Sequence, residues 1–204
     1  MAVAAVAFVL IARPFGGSPA ASASGGGGVG CPTSQPPALA AGERRIVTIQ
    51  TGQGSIEITV EADLSPIAAG NFVALASCGF YDGVVFHRAA TLQDGTPFVI
   101  QGGDPDGTGR GGPPYKIQDE PVTATYGRAT VAMARSSQPN SVGSQFFIVL
   151  NDGARAVLES ANTYQIIGAV SSGMETADAI HAAAAGVEIP TNPVTMTDVT
   201  VANP

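Results

Sequence analysis

Arg88, Gln101 and Gln145 are the side chains of this chain best placed to do chemistry, because each stands among large apolar residues. They fall in Phe86-His87-Arg88, in Phe98-Val99-Ile100-Gln101-Gly102-Gly103-Asp104 and in Gly143-Ser144-Gln145-Phe146-Phe147. One cation and two amides in apolar surroundings suit a greasy pocket with a few aimed hydrogen bonds. Other chemistries find little support. With two histidines and two cysteines in the chain, and His181 on an Ala-rich helix, no metal-ligand spacing is present, so no metal and no cofactor is expected. His87 has no evident acidic orienter, which argues against a Ser–His or Cys–His nucleophile. Strand alternation sends His87 and Arg88 to opposite faces, leaving His87 to satisfy a local hydrogen bond in the wall. Gly107-x-Gly109 is followed by neither a helix nor a Lys-Ser/Thr pair, so it is not a phosphate cradle. A charged fraction of 12% and a net charge of -7 provide no basic stripe for nucleic acid.

These side chains need a scaffold, and the pattern from Arg45 onward is that of short strands. Ile56 to Glu61 alternates apolar and polar residues with period two, and Gly52-Gln53-Gly54 joins it to Ile46–Thr51 as a hairpin. Ser65-Pro66 supplies an N-cap and a first-turn proline for a helix of about eleven residues ending at Gly79. Further strands are predicted at Val84–Arg88, Phe98–Gln101, Arg128–Ala134, Gln145–Leu150, Gln165–Val170 and Val194–Val201, with a second helix at Glu175–Ala185. The fold expected is mainly β: a closed antiparallel eight-stranded β-barrel capped by two α-helices, since about eight strands without βαβ alternation exclude a parallel sheet. A barrel this small is filled by its own side chains, so the binding site belongs on its outer wall. The glycine-rich stretch Asp104–Pro114 is expected as a surface loop whose backbone passes close to other segments.

Ahead of the domain, Ala2–Ala12 is apolar but shorter than the ~20 residues of a membrane span, so residues 1–17 read as a signal or anchor segment. Residues 18–42, rich in Gly, Pro, Ser and Ala, read as a disordered tether, and the folded domain as 43–204. The expected location is extracytoplasmic, secreted or held to the membrane by the N-terminus alone. An even cysteine count in an exported protein favours a disulfide between Cys31 and Cys78, with free thiols the alternative.

Taken in order, the three blocks resemble the cyclophilin family of peptidyl-prolyl cis-trans isomerases, over about Val47 to Val201. The resemblance implies an isomerase that speeds X–Pro rotation during the folding of exported proteins, acting as a monomer on proline-containing polypeptides. It implies Arg88 as the donor to the imide nitrogen and Gln101 as the amide that holds the substrate carbonyl. Phe98, Val99, Phe147 and Leu158 would grip the proline ring, Tyr164 would cap the pocket, and Gln145 with the backbone at Ala134 and Arg135 would bind the extended peptide. A binding module using the same groove without turnover is the alternative; it would need the apolar pocket but not the Arg88–Gln101 pair.

The chain departs from the family in several places. The Ala89–Pro97 connection is longer than in shorter members, which predicts an extra turn around Gln93-Asp94-Gly95 beside the site. Arg135 and Val142 stand where Asn is frequent, and Arg135 could favour acidic flanking residues. The chain has no Trp; Val157 or a neighbour takes the place of the Trp of cyclosporin-sensitive members, so weak cyclosporin binding is expected. Tyr164 stands where many members carry His.

Overall fold

The computed structural model describes residues 30–204. The expected signal or anchor segment, 1–17, and the first part of the tether lie outside them. Among the described residues, no helix is long and apolar enough to cross a membrane.

The Gly-containing turn at 52–53 folds β1 (Arg44–Thr51) onto β2 (Gly54–Glu61) in full antiparallel register. Helix α1 (Pro66–Ser77) follows, then β3 (Val85–Phe86), β4 (Arg88–Thr91), β5 (Pro97–Gly102), β6 (Thr130–Met133) and β7 (Phe146–Val149). A 3-10 turn at Asp152–Ala154 leads into α2 (Arg155–Ala161), and β8 (Ile166–Ser172), α3 (Met174–Ala183) and β9 (Val194–Ala202) complete the chain. The strands form one antiparallel sheet in the order β3-β9-β1-β2-β8-β6-β7-β5-β4.

This is a nearly closed barrel of nine strands, not the closed eight expected. The extra strand arises because Val84–Arg88 is not one strand: it breaks at His87, so that β3 pairs with β9 while β4 pairs with β5. The two ends of the sheet are therefore adjacent in the chain, and the bridge between Val85 and Asp104 spans the seam without a full ladder. A third helix, α2, was also not expected. Its seven residues are too few for a clear helical period, and it is started by the 3-10 turn, where Asn151 Oδ1 accepts the Gly153 N–H at 2.7 Å.

Residues 30–42, the described part of the expected tether, are mostly exposed but are pinned to the domain at several points. Cys31 and Cys78 form a disulfide. Leu39 N–H donates to Pro66 O at 3.1 Å, and Gln35 Oε1 accepts from Gln118 N–H at 3.0 Å. Gly70 makes this possible: a Cβ there would collide with the Pro37 carbonyl. Helix α1 is thus covered by the barrel on one side and by this segment on the other, which is why buried residues run round it from Ala68 to Ala76. Ser65 does stand at the cap position, but its hydroxyl is buried without a partner among the described residues. The capping group is the Glu120 carboxylate, which accepts from Ile67 N–H at 2.8 Å and Ala68 N–H at 2.9 Å and places negative charge at the positive end of the helix.

Two apolar clusters result. The larger fills the barrel, with Ile49, Ile58, Ile100, Phe146 and Ile148 among its members. The smaller lies on the outside of β4–β7, with Phe98, Val99, Phe147, Val149, Leu158 and Tyr164.

Candidate active site

Strand register sets up the site. Arg88 on β4 faces Gln101 on β5, Gln101 faces Phe147 on β7, and Phe147 faces Ala132 on β6, so four side chains form one row on the outer wall. The next row on that face is Ala90, Val99 and Val149. Phe146, one residue away, points into the barrel, as alternation requires.

The polar members of the site are joined end to end. Arg88 Nη1 donates to Gln101 Oε1 at 3.3 Å, Gln101 Nε2 to Gln145 Oε1 at 2.9 Å, and Gln145 Nε2 to the Gly111 carbonyl at 3.0 Å. Arg88 is only 9% exposed. A charge so shielded is costly without a partner, and the partner is Glu188, which takes Arg88 Nε at 2.7 Å and Nη2 at 2.6 Å on the same oxygen, Oε1. Beside the amide chain opens a cleft of about 580 Å³, lined in part by Gln101, Lys116, Ala134, Arg135 and Gln145.

The apolar residues singled out in the sequence come together: Phe98, Val99, Ala134, Phe147, Leu158 and Tyr164 belong to one cluster. Helix α2 carries Leu158 over the wall, and Tyr164 meets Phe147 edge to face, with ring centroids 5.4 Å apart. Tyr164 is held by its backbone. The hydroxyl of buried Tyr126 donates to Tyr164 O at 2.8 Å and accepts Tyr164 N–H at 3.1 Å. Burial pushes the Tyr126 phenol up to about 12 and raises that of Tyr164, with Arg88 and Arg135 pulling the latter back, so both rings stay neutral at ordinary pH.

The loops beside the row are fastened by buried groups. The Asp104 carboxylate accepts from the backbone N–H groups of Asp106 at 2.8 Å and Arg110 at 2.9 Å, fixing the glycine-rich loop. Gly103, at φ +87°, passes so close to Ser144 O that no side chain would fit, while Ser144 Oγ donates to Gly103 O at 2.6 Å. Asn71 Nδ2 on α1 holds Gly143 O at 2.8 Å, and Val142 sits buried with its carbonyl on Ile117 N–H, so Val142 leaves the loop well bonded. The longer Ala89–Pro97 connection closes as a tight hairpin end, Leu92 N–H to Thr96 O at 2.8 Å, around the expected turn.

Two sequence expectations are modified here. His87 is buried under the Gly109 loop, and no hydrogen bond of ordinary geometry holds either ring nitrogen among the described residues; its local polar contact is with the Val85 backbone, which opposes the effect of burial on its pKa. Burial lowers its pKa, with Asp104 opposing and Arg88 adding to the shift. Arg135 does not offer a free cation to acidic substrates, because Asp119 pairs with its Nη1 at 3.1 Å while its Nε donates to Ser136 O and its Nη2 to Gln138 O. Glu188 and Tyr126 were missed by the sequence reading. Glu188 lies 100 residues from Arg88 in an irregular connection, where neither motif nor periodicity marks it.

The chain is similar to known proteins in sequence and in fold. Residues 46–201 match the family model for cyclophilin type peptidyl-prolyl cis-trans isomerase/CLD. Peptidyl-prolyl cis-trans isomerase-like 1 of Rhizopus delemar is 42% identical over 137 residues, 65% of this chain and 77% of that protein. Peptidyl-prolyl cis-trans isomerase-like 3 of Rattus norvegicus is 37% identical over 166 residues, 78% of this chain and 97% of that protein. Other relatives are much larger: the match spans 21% of the isomerase CYP65 of Arabidopsis thaliana. Among solved structures, a cyclophilin type isomerase of Cryptosporidium parvum, crystallised in the presence of the dipeptide Ala-Pro, superposes with a TM-score of 0.66 at 29% identity, covering 78% of this chain and 99% of that one.

Proposed function

The chain belongs to the cyclophilin-type peptidyl-prolyl cis-trans isomerase family, and we propose that it turns X–Pro bonds on its outer wall, with Arg88 as the donor that favours the twisted imide. The observation that carries this is the row Arg88–Gln101–Phe147–Ala132, which places a shielded cation, an amide and an apolar floor side by side.

Rotation about an X–Pro bond must overcome a barrier of roughly 18–20 kcal/mol set by amide resonance. No bond is made or broken. Halfway round, the nitrogen has lost its conjugation and become pyramidal and basic, so a donor aimed at it binds the transition state more tightly than either planar form. A charge-assisted hydrogen bond from Arg88 in this shielded position is worth about 2.7–4 kcal/mol, or two to three decades of rate. Phe98, Val99, Phe147 and Leu158 hold the ring while Tyr164 closes one side, and Gln101 retains the carbonyl that must not move. Gln145 lines the groove for the preceding residues. The Ala134 N–H is spent on Gln145 O at 2.8 Å, so the peptide contact there falls to the remaining backbone groups of Ala134 and Arg135.

The Ala-Pro dipeptide named with the Cryptosporidium parvum structure supports proline-containing polypeptides as substrates here. An extracytoplasmic role in the folding of exported proteins is supported by the apolar run Ala2–Ala12 and by the Cys31–Cys78 disulfide, a bond of oxidising compartments. Mass spectrometry of the mature N-terminus from cells tests that role; a full-length chain recovered from the cytoplasm with free thiols rejects it.

The catalytic reading is tested by isomerisation of an X-Pro tetrapeptide. The oxidised wild-type chain accelerates it, and Arg88→Ala lowers kcat/KM by about two to three decades. A wild-type chain without activity, or an Arg88→Ala variant as active as wild type, overturns it.

A further inference from the structure

We infer that Glu188 is a positioning residue for the isomerisation, holding the Arg88 guanidinium at the angle from which it can serve an imide nitrogen; this rests on the role proposed for Arg88. A guanidinium carries five N–H donors in a rigid plane. Glu188 Oε1 engages the Nε and Nη2 side at 2.7 and 2.6 Å, and Gln101 Oε1 engages Nη1 at 3.3 Å. Held at both ends, the plane cannot swing about its last side-chain bonds, while unspent N–H groups remain for the substrate. Such preorganisation is what an aimed donor needs, because reorientation during the reaction would give back much of its advantage.

Offsetting the shielded Arg88 charge is one use of the pair, but the fold does not need the carboxylate to hold its loop in place. Arg88 is 10% exposed along its side chain whereas Glu188 is 56% exposed, so the acid comes from the solvent side to meet a buried cation. The connection that carries it is fastened independently. Ala89 N–H donates to the Glu188 backbone carbonyl at 2.9 Å, and His181 Nε2 bonds the Ala90 carbonyl at 2.9 Å, so α3 and the following loop are clasped to β4 without the carboxylate. Val187 and Ile189 on either side of Glu188 are the exposed large apolar residues of the described chain, at 52% and 62%, and neither buries the loop. The backbone clasp sets the loop against β4, and the carboxylate is then delivered to the guanidinium that faces Gln101.

The test compares Glu188→Ala and Glu188→Gln with wild type in the tetrapeptide assay, beside Arg88→Ala. Glu188→Ala is expected to lower kcat by about one to two decades with KM within about twofold, since misplacing a reacting group by an ångström costs up to about a hundredfold. Glu188→Gln keeps an oxygen acceptor for Nε and recovers most of the loss. In 15N spectra the Arg88 Nε–H signal should be protected from solvent exchange in wild type and in Glu188→Gln, and lost in Glu188→Ala, all read well below the melting range of each variant. Unchanged or raised kcat in Glu188→Ala, or equal damage from Glu188→Gln, overturns the inference. If the wild type proves inactive the catalytic reading falls, and an unprotected wild-type Nε–H rejects the Glu188 contact on its own.

Discussion

The outer faces of β1–β2–β9 and of β4–β5–β7–β6 belong to one sheet and share one barrel interior, yet they are built from opposite materials. Across the first, the rows read Glu57–Thr48–Thr200 and Ser55–Gln50–Asp198. Across the second, they read Arg88–Gln101–Phe147–Ala132 and Ala90–Val99–Val149. Inward-facing residues are apolar in both. The first wall therefore alternates and meets water on one side, while β6 and β7 are buried along their whole length. The contrast lies in where surplus apolar surface is kept. Apolar surface that the barrel does not need is kept on one outer wall, partly roofed by α2 and Tyr164, and the shielded Arg88 is set at its edge.

The strongest way to break this comparison is to truncate neighbours that face opposite ways. Phe146 packs inside against Phe72 and Tyr81, at centroid distances of 5.1 and 5.7 Å, so Phe146→Ala should cost about 3–5 kcal/mol in urea unfolding. Phe147→Ala should lose less stability but at least about tenfold in kcat/KM, because it empties the site floor; equal unfolding losses with intact activity would erase the distinction between the two faces. Next in size is the staple behind α1. Replacing Cys31 and Cys78 together by Ser should lower stability by about 2–4 kcal/mol, as expected for a disulfide closing a loop of separation 47, with little change in turnover below the melting range. A large loss of activity at unchanged melting temperature would show that the segment 30–42 reaches the site.

A smaller effect sits at the seam between the walls. The folded state lowers the His87 pKa, mainly by burial, so the unfolded chain binds the proton first. Stability should accordingly fall as pH drops below about 6.5, at up to about 1.4 kcal/mol per pH unit, and His87→Gln should flatten that part of the melting-temperature profile. An unaltered acid slope in the variant would assign it to other groups. Least affected should be the polar wall: Gln50→Ala, at an exposed position of β1, should stay within about 0.5 kcal/mol of wild type and leave kcat/KM unchanged.

Much of this was legible in the residues because strand pattern and turn chemistry act locally. Ile56–Glu61 shows its alternation within six residues, and Gly52-Gln53-Gly54 places the hairpin. Spacing within the blocks around Arg88, Gln101 and Phe147 is enough to put their side chains on one face once the strands pair. The short α2 escaped because its seven residues show no clear period, and the split at His87 because a two-residue strand has no pattern to read.

Local pattern was thus enough for the β-rich domain and the main helices, and the three blocks singled out Arg88, Gln101 and Phe147. Only the tertiary structure decided the partners that arrive from afar. Glu120 caps α1 from 53 residues away while Ser65 stands idle at the cap position; Cys31 is brought to Cys78; and Glu188 closes on Arg88 across 100 residues. Periodicity and turn preferences are properties of neighbouring residues, whereas an ion pair between a strand and a distant loop depends on the path the chain takes back across the barrel.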